Sequence, residues 1–455
     1  MRVNEVDDVE VLGRKGRDVL DVAGSEGELR FMASADDECA TVDSECPKRC
    51  GDDLRPGRIG DEAFYDDERA FAGVAAEHGT KCEPAHLGRQ LLGEAMGTRA
   101  VRDASADIFH DKNTIKADPF VASNVYAIWG RLEADGHGPA WFTRSTDRGA
   151  TWEPSRGVYD PGPVNQTLGN GLDVLPNGTL INVFLEIIRS PTPANAFGQR
   201  VRVMSSNDKG VNWSVPVTVA EYLGVGTVDP DTRLKVRDSS GVPQVAVGKD
   251  GRIHVVWQDA RFSGGVHDGV AYSRSGDGGM TWSEPVRVNA RTDVAAFVPM
   301  VHIRDDGIIG VSYYDFRDNT TSLTTLPTAY RLAVSADGVN WRESEVNASF
   351  DLATAPIASG LFLGDYQALS SNGAAFSALY ARTTGAATNN ATEIVFANVA
   401  DGSLKRAAGK TGNGSYRAAL APNGFAITAE LSARVRANLE RAIMQRKEKF
   451  RQFSP

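Results

Sequence analysis

The chain has 455 residues, 41% of them hydrophobic, with 59 acidic against 49 basic side chains and a formal charge of −10. That length can bury a large core, and that charge argues against binding nucleic acid or an anionic membrane surface. No stretch approaches the ~20 apolar residues that span a bilayer as a helix.

Residues 1–105 are rich in Asp, Glu, Gly and Arg, with scattered apolar positions and no period-two run. They are expected to be an irregular, poorly ordered segment, with a short helix at Gly88–Met96. The acidic start, Met1 to Glu10, has no apolar core of the kind a signal peptide carries. Cys39, Cys46, Cys50 and Cys82 fit neither a CxxC pair nor a zinc ribbon. His110, His254, His267 and His302 are scattered, so no metal and no cofactor is expected.

Residues 106–426 read as strands punctuated by one repeated turn. It occurs as Ser145-Thr146-Asp147-Arg148-Gly149-Ala150-Thr151-Trp152, Ser206-Asn207-Asp208-Lys209-Gly210-Val211-Asn212-Trp213, Ser275-Gly276-Asp277-Gly278-Gly279-Met280-Thr281-Trp282 and the shorter Ser335-Ala336-Asp337-Gly338-Val339-Asn340-Trp341. The serines are spaced by 61, 69 and 60 residues, about the length of a four-stranded sheet with its loops. In each copy the Asp carboxylate can fold back onto backbone N–H groups, the Gly accepts a positive φ, and the Trp plugs the hairpin into neighbouring apolar surface. Such a turn locks a hairpin. The spacing predicts that it joins the third and fourth strands of each sheet, in units near 113–154, 171–219, 242–289 and 297–346. A fifth unit at 368–398 has no lock. An all-β, six-bladed β-propeller is expected, its sixth blade coming from the first hundred residues or from the region after Ser403. From Ile427 onward, Leu431, Val435, Leu439 and Ile443 recur every four residues, which predicts an amphipathic C-terminal helix over 427–455 packed on the rim.

In a four-stranded meander, the residues just past each second strand gather at the end opposite the locks. Those positions hold Arg131, Glu186, Asp259 with Arg261, Asp315 with Arg317, and Arg382. The entries to the first strands add His110-Asp111-Lys112, Asn165-Gln166-Thr167, Asp229 to Arg233, Asp293 and Gly364-Asp365-Tyr366. Arginine forks suit carboxylates, and carboxylates can do acid-base work on a sugar, so an anionic or heavily hydroxylated ligand is expected there. Salt bridges between the sheets are the plain alternative.

The four locks resemble the Asp boxes of bacterial neuraminidase repeats. The segments Val256 to Phe262, Val311 to Arg317 and Leu363 to Gln367 are similar to motifs of sialidase-like, six-bladed propellers of the bacterial exo-α-sialidase group. The resemblance covers about 107–401 and implies an extracellular or cell-envelope glycosidase, monomeric, acting on a terminal acidic sugar. In such enzymes three arginines hold the substrate carboxylate, and a Tyr nucleophile works with a Glu and an acid-base Asp. By resemblance and position, Arg261, Arg317 and Arg382 form the clamp, with Arg131, Asp259 and Asp315 also lining the substrate. Tyr366 or Tyr314 is the nucleophile, Glu186 its partner, and Asp111 or Asp365 the acid. A non-catalytic propeller binding a glycan or protein through the same charged end is the alternative, and a lyase using His110 with Tyr366 a weaker one.

Overall fold

The computed structural model describes residues 107–189, 198–385, 391–400 and 415–453, and two short strands at Val22–Ala23 and Leu29–Arg30. The expectations for Gly88–Met96, the four cysteines and most of the first segment lie outside the described residues.

The described chain is nearly all β, with one long helix at its C-terminal end. Four antiparallel meanders follow one another. Sheet one comprises Ile108–Ala117, Val125–Glu133, Ala140–Ser145 and Arg156–Tyr159. Sheet two comprises Gln166–Val174, Leu180–Ile187, Gln199–Ser206 and Val217–Glu221. Sheet three comprises Gln244–Val247, Ile253–Asp259, Gly269–Ser275 and Val286–Arg287. Sheet four comprises Ala296–Ile303, Ile309–Asp315, Pro327–Ser335 and Asn340–Glu345, and Tyr416–Arg417 pairs on its outer edge. Sheet five has three strands, Ala368–Asn372, Ala375–Thr383 and Thr392–Ala400. Five meander sheets, not six, are seen among the described residues beside two short two-stranded pairs, and they are not joined into a closed structure.

The second strands of sheets two and three, Leu180–Ile187 and Ile253–Asp259, are buried along their whole length, because each is covered on both faces. First strands lie beside one another in chain order. Thr114 Oγ1 donates to Asn170 O at 2.6 Å, Val247 N to Asp173 Oδ2 at 3.0 Å, and His302 Nε2 meets Ser371 Oγ at 2.9 Å, while Val298 N reaches Gln258 Oε1 of the second strand of sheet three at 3.0 Å. Gly169 shows how tight this is, since a Cβ there would sit 2.8 Å from Val242 Cα.

Each lock joins the third and fourth strands of its sheet. In the first, Asp147 Oδ1 accepts from Thr151 N at 2.8 Å and Oδ2 from Thr151 Oγ1 at 2.5 Å, while Ser145 Oγ accepts from Gly149 N at 2.8 Å. The same bonds recur around Asp208, Asp277 and Asp337. These contacts hold Asp277 and Asp337 at about 2. The second and fourth locks plug into the sheet before them: Trp213 packs edge-on against Phe142 at 5.4 Å, and Trp341 against Tyr272 at 5.6 Å. Gly210 lies so close to the Phe142 ring that no side chain would fit.

The C-terminal helix α1, Ala429–Phe453, seats Leu431, Val435, Leu439 and Ile443 in one core with Leu168, Leu185, Ile187 and Phe262 of sheets two and three. It lies at the end opposite the locks. Arg434 Nη2 donates to Val266 O at 3.0 Å, Asn438 Nδ2 to Gly224 O at 3.3 Å, and Arg189 Nε to Glu440 Oε1 at 2.8 Å. Beside the helix, Val236–Arg237 pairs in parallel with Leu361–Phe362, strapping the entry of sheet three to the entry of sheet five. Among the described residues, no helix is long and apolar enough to cross a membrane.

Candidate functional site

The Asp-x-Arg pairs end second strands, and each is a local structure. Asp259 Oδ1 accepts from the backbone N of Arg261 at 2.9 Å and from its Nε at 2.8 Å, turning the chain into the short 3-10 helix Arg261–Ser263. Arg261 Nη2 also donates to Asp259 Oδ2 at 2.9 Å and to Glu221 O at 2.6 Å. Arg317 Nε donates to Asp315 Oδ2 at 2.6 Å and its Nη1 to Glu343, while Arg331 shares Asp315 at 3.3 Å. Arg382 pairs with Glu393 across sheet five at 2.6 Å, and Arg131 with Glu133 at 2.6 Å, its guanidinium 4.6 Å from the Trp141 ring centre. The four arginines thus engage separate carboxylates.

Glu186 is buried and accepts from Tyr159 Oη, the last residue of sheet one, and from Arg202 Nη1 at 3.0 Å. Burial, then the Glu186 carboxylate, pushes the Tyr159 phenol above its ordinary value. Tyr314 lies in the interior, its hydroxyl donating to Ala381 O at 2.6 Å and its ring against Tyr330 at 4.7 Å.

The predicted residues that do come together surround Lys112. A bulge between Asp111 and Thr114 puts Lys112 at φ 57° and turns its side chain across to sheet five. Its Nζ lies 2.7 Å from Asp365 Oδ2 and 5.3 Å from the Tyr366 ring centre. Burial opposes its charge, but Asp365, Tyr366 and the buried Asp111 hold Lys112 above its ordinary value. Asp365 also accepts from Arg237 Nη2 at 2.6 Å, Arg237 Nε at 3.1 Å and Ser239 Oγ at 3.0 Å. Burial alone would raise this carboxyl, yet Lys112 and Arg237 hold it well below the usual range. Nearby, burial first, then Arg441 of α1 and Arg237, push the Lys235 ammonium down against the opposing Asp238.

Beneath α1 lies a second cluster. The backbone N–H groups of Val225 and Gly226 donate to Asp268 at 2.8 and 3.0 Å, and that of Thr227 to Asp238 at 2.6 Å. Gln258 Nε2 touches both carboxylates, at 2.9 Å from Asp238 and 3.3 Å from Asp268. Burial, then Asp238, pushes Asp268 up to about 7.

Arg237, Asp238 and Ser239 directly precede the first strand of sheet three, the position class already marked as part of the site. The sequence points instead to Asp229 to Arg233, eight residues earlier than the residues that reach Asp365. Tyr222 and Asp268 carry no sequence signal. Among the described residues, no three His, Cys, Asp or Glu gather as metal ligands.

Compared with protein-family profiles and with curated proteins, the sequence matches none. Solved structures similar to it include a Dyadobacter fermentans protein of unknown function, at 16% identity and a TM-score of 0.36 over 65% of this chain and 96% of that one. A Hadza microbial sialidase shares 15% identity at a TM-score of 0.33, over 64% of this chain and 66% of its own. An ulvan lyase of the polysaccharide lyases shares 13% at 0.38, over 64% and 68%. At these scores no residue correspondence is drawn.

Proposed function

We propose that the five sheets belong to a six-bladed, sialidase-type β-propeller that hydrolyses terminal acidic sugars, sialic acid in the first instance, from glycoconjugates. The observation that carries this reading is the cationic group around Asp365. Lys112 and Arg237 bind it, and Tyr366 stands beside them. A sugar carboxylate entering there relieves like-charge repulsion.

In this reading Tyr366, whose neutral phenol is not repelled by the adjacent sugar carboxylate, attacks the anomeric carbon as the glycosidic C–O bond breaks; its proton passes to the ionised Asp365, Asp111 protonates the leaving oxygen, and water then cleaves the glycosyl–tyrosine bond. The Lys112 ammonium favours loss of the phenol proton. Asp365 is held ionised and has no proton to give, so it positions Lys112 and Arg237, and Asp111 is the acid. Arg261, Arg317, Arg382, Arg131, Asp259 and Asp315 shape the surrounding wall, and Glu186 works through Tyr159. An extracellular or cell-envelope monomer with no cofactor is proposed.

Hydrolysis of a fluorogenic sialoside tests it. Tyr366→Phe and Asp365→Asn are each expected to lower kcat/KM by ~100-fold or more. Unchanged turnover in Tyr366→Phe would overturn the assignment.

A second reading, a non-catalytic glycan-binding propeller, is favoured by one observation: Arg261, Arg317, Arg382 and Arg131 are each engaged by carboxylates of their own. It predicts no turnover across sialosides and uronides, with retained binding on a glycan array.

A further inference from the structure

Past the second strand of sheet one the chain turns back at once. Glu133 O accepts from Gly136 N at 2.9 Å, Glu133 N donates to His137 O at 2.8 Å, and Asp135 Oδ1 accepts from His137 N at 2.8 Å. The turn sets the His137 ring between two carboxylates. Its Nδ1 lies 3.3 Å from Glu133 Oε2, and its Nε2 lies 2.7 Å from Oδ1 of Asp160, just past the fourth strand of the same sheet. A carboxylate oxygen only accepts, and a neutral imidazole carries one N–H, so both contacts are hydrogen bonds only when the ring is protonated.

The charges around the ring alternate. Glu133 accepts on its other oxygen from Arg131 Nη1 at 2.6 Å, giving the order Arg131, Glu133, His137, Asp160. Asp135 meets the histidine at its backbone N–H, and Asp107 meets the turn through its carbonyl, which accepts from Ala134 N at 3.1 Å. Tyr159, next to Asp160, gives its hydroxyl to Glu186. Burial opposes the charge on the ring, but Asp160 and Glu133 hold His137 above its ordinary value, and His137 in turn holds Asp160 below its own. The Asp160 side chain is 64% exposed, so solvent protons reach the pair.

The same turn carries the contact between sheets one and two at this end. Gly138 N donates to Asn165 O at 2.9 Å, Thr167 N to Gly138 O at 2.7 Å, and Gln166 Nε2 to Gly136 O at 2.8 Å. Asn165 Nδ2 closes back on Pro161 O at 2.9 Å. The connection between the sheets therefore begins at Asp160 and ends at 165–167, and both its ends are fastened to the 133–138 turn. We propose that His137 is a proton-operated clasp on this connection: charged, it holds Asp160 against the turn, and neutral, it lets the 160–165 segment loosen. A histidine charged more readily in the folded chain than in the unfolded one stabilises fully below ~6.5 and loses that contribution as pH rises through its folded value. The clasp is shut in acid and slack in alkali.

The test uses the full chain. In nitrogen-15 spectra of the imidazole rings, the His137 signal, assigned by its loss in His137→Gln, is expected to titrate with a midpoint above ~6.5. Amide protection at Gly138 and Thr167, taken as protection factors so that the intrinsic effect of pH drops out, is expected to fall by roughly threefold between pH 6 and pH 9, the scale of a partly exposed ion pair. In His137→Gln the two values are equal and match the loosened state. Should that variant not fold, Asp160→Asn, at an exposed position, is expected to lower the midpoint towards ~6.5 and to lose the threefold change. A wild-type midpoint at or below ~6.5 overturns the proposal, as does a fall in protection of equal size in the variant.

Discussion

His254 is buried and His302 half-buried between sheets, the first meeting Tyr272 Oη at 2.8 Å and the second Ser371 Oγ at 2.9 Å. Burial, the largest cause in each, pulls both down to about 4. The unfolded chain takes up those protons near the ordinary value of ~6.5, so the stability they allow is lost as pH falls from about 6.5 towards 4. His254→Gln is therefore expected to flatten the acid limb of the stability curve by on the order of 2 kcal/mol, read from urea midpoints at pH 7 and 4.5. A parallel curve for wild type and variant would contradict this. Residue chemistry also explains why the Asp-x-Arg pairs were so visible. An Asx turn that closes a strand and an arginine clamp for substrate use the same two residues at the same spacing, and only coordinates tell which carboxylate each guanidinium meets.

At the scale of elements, the turn locks were legible because the bonds that make them are local. Asp277 needs only Ser275, Met280 and Thr281, all within four residues. Ser145 is buried and holds the N–H of Gly149. Ser145→Ala leaves that donor unsatisfied at a cost of about 1–2 kcal/mol. A calorimetric Tm lowered by a few degrees, with unchanged circular dichroism, is the expected result. The helix was legible for the same reason, its stripe of Leu431, Val435, Leu439 and Ile443 being written at a spacing of four. Where it docks was not legible, because that depends on Gly241 and Gly265 leaving room for Leu439 and Leu431. The Asp365 group was half legible. Asp365, Tyr366, Asp111 and Lys112 fall at strand entries, while the reach of Lys112 to Asp365 needs the bulge and Arg237 needs the strap, both of which bring together residues far apart in sequence.

For the whole molecule, α1 roofs the end where the charged residues converge. Leu439 is buried against Leu168, Leu185 and Gly241. Leu439→Ala is expected to cost about 2–4 kcal/mol through the cavity it opens. Hydrogen exchange should then quicken at 222–241 while the locks at the opposite end keep their protection. Uniform acceleration across all five sheets would show instead that the helix is part of one cooperative core. The strap between Val236–Arg237 and Leu361–Phe362 bears on how the molecule is made. Its two strands are 125 residues apart and enclose all of sheets three and four, so the chain must first assemble those sheets to bring the ends within reach. Assembly of the Asp365 group thus comes late in folding, and a nascent chain stalled before residue 361 would carry well-formed hairpins without it.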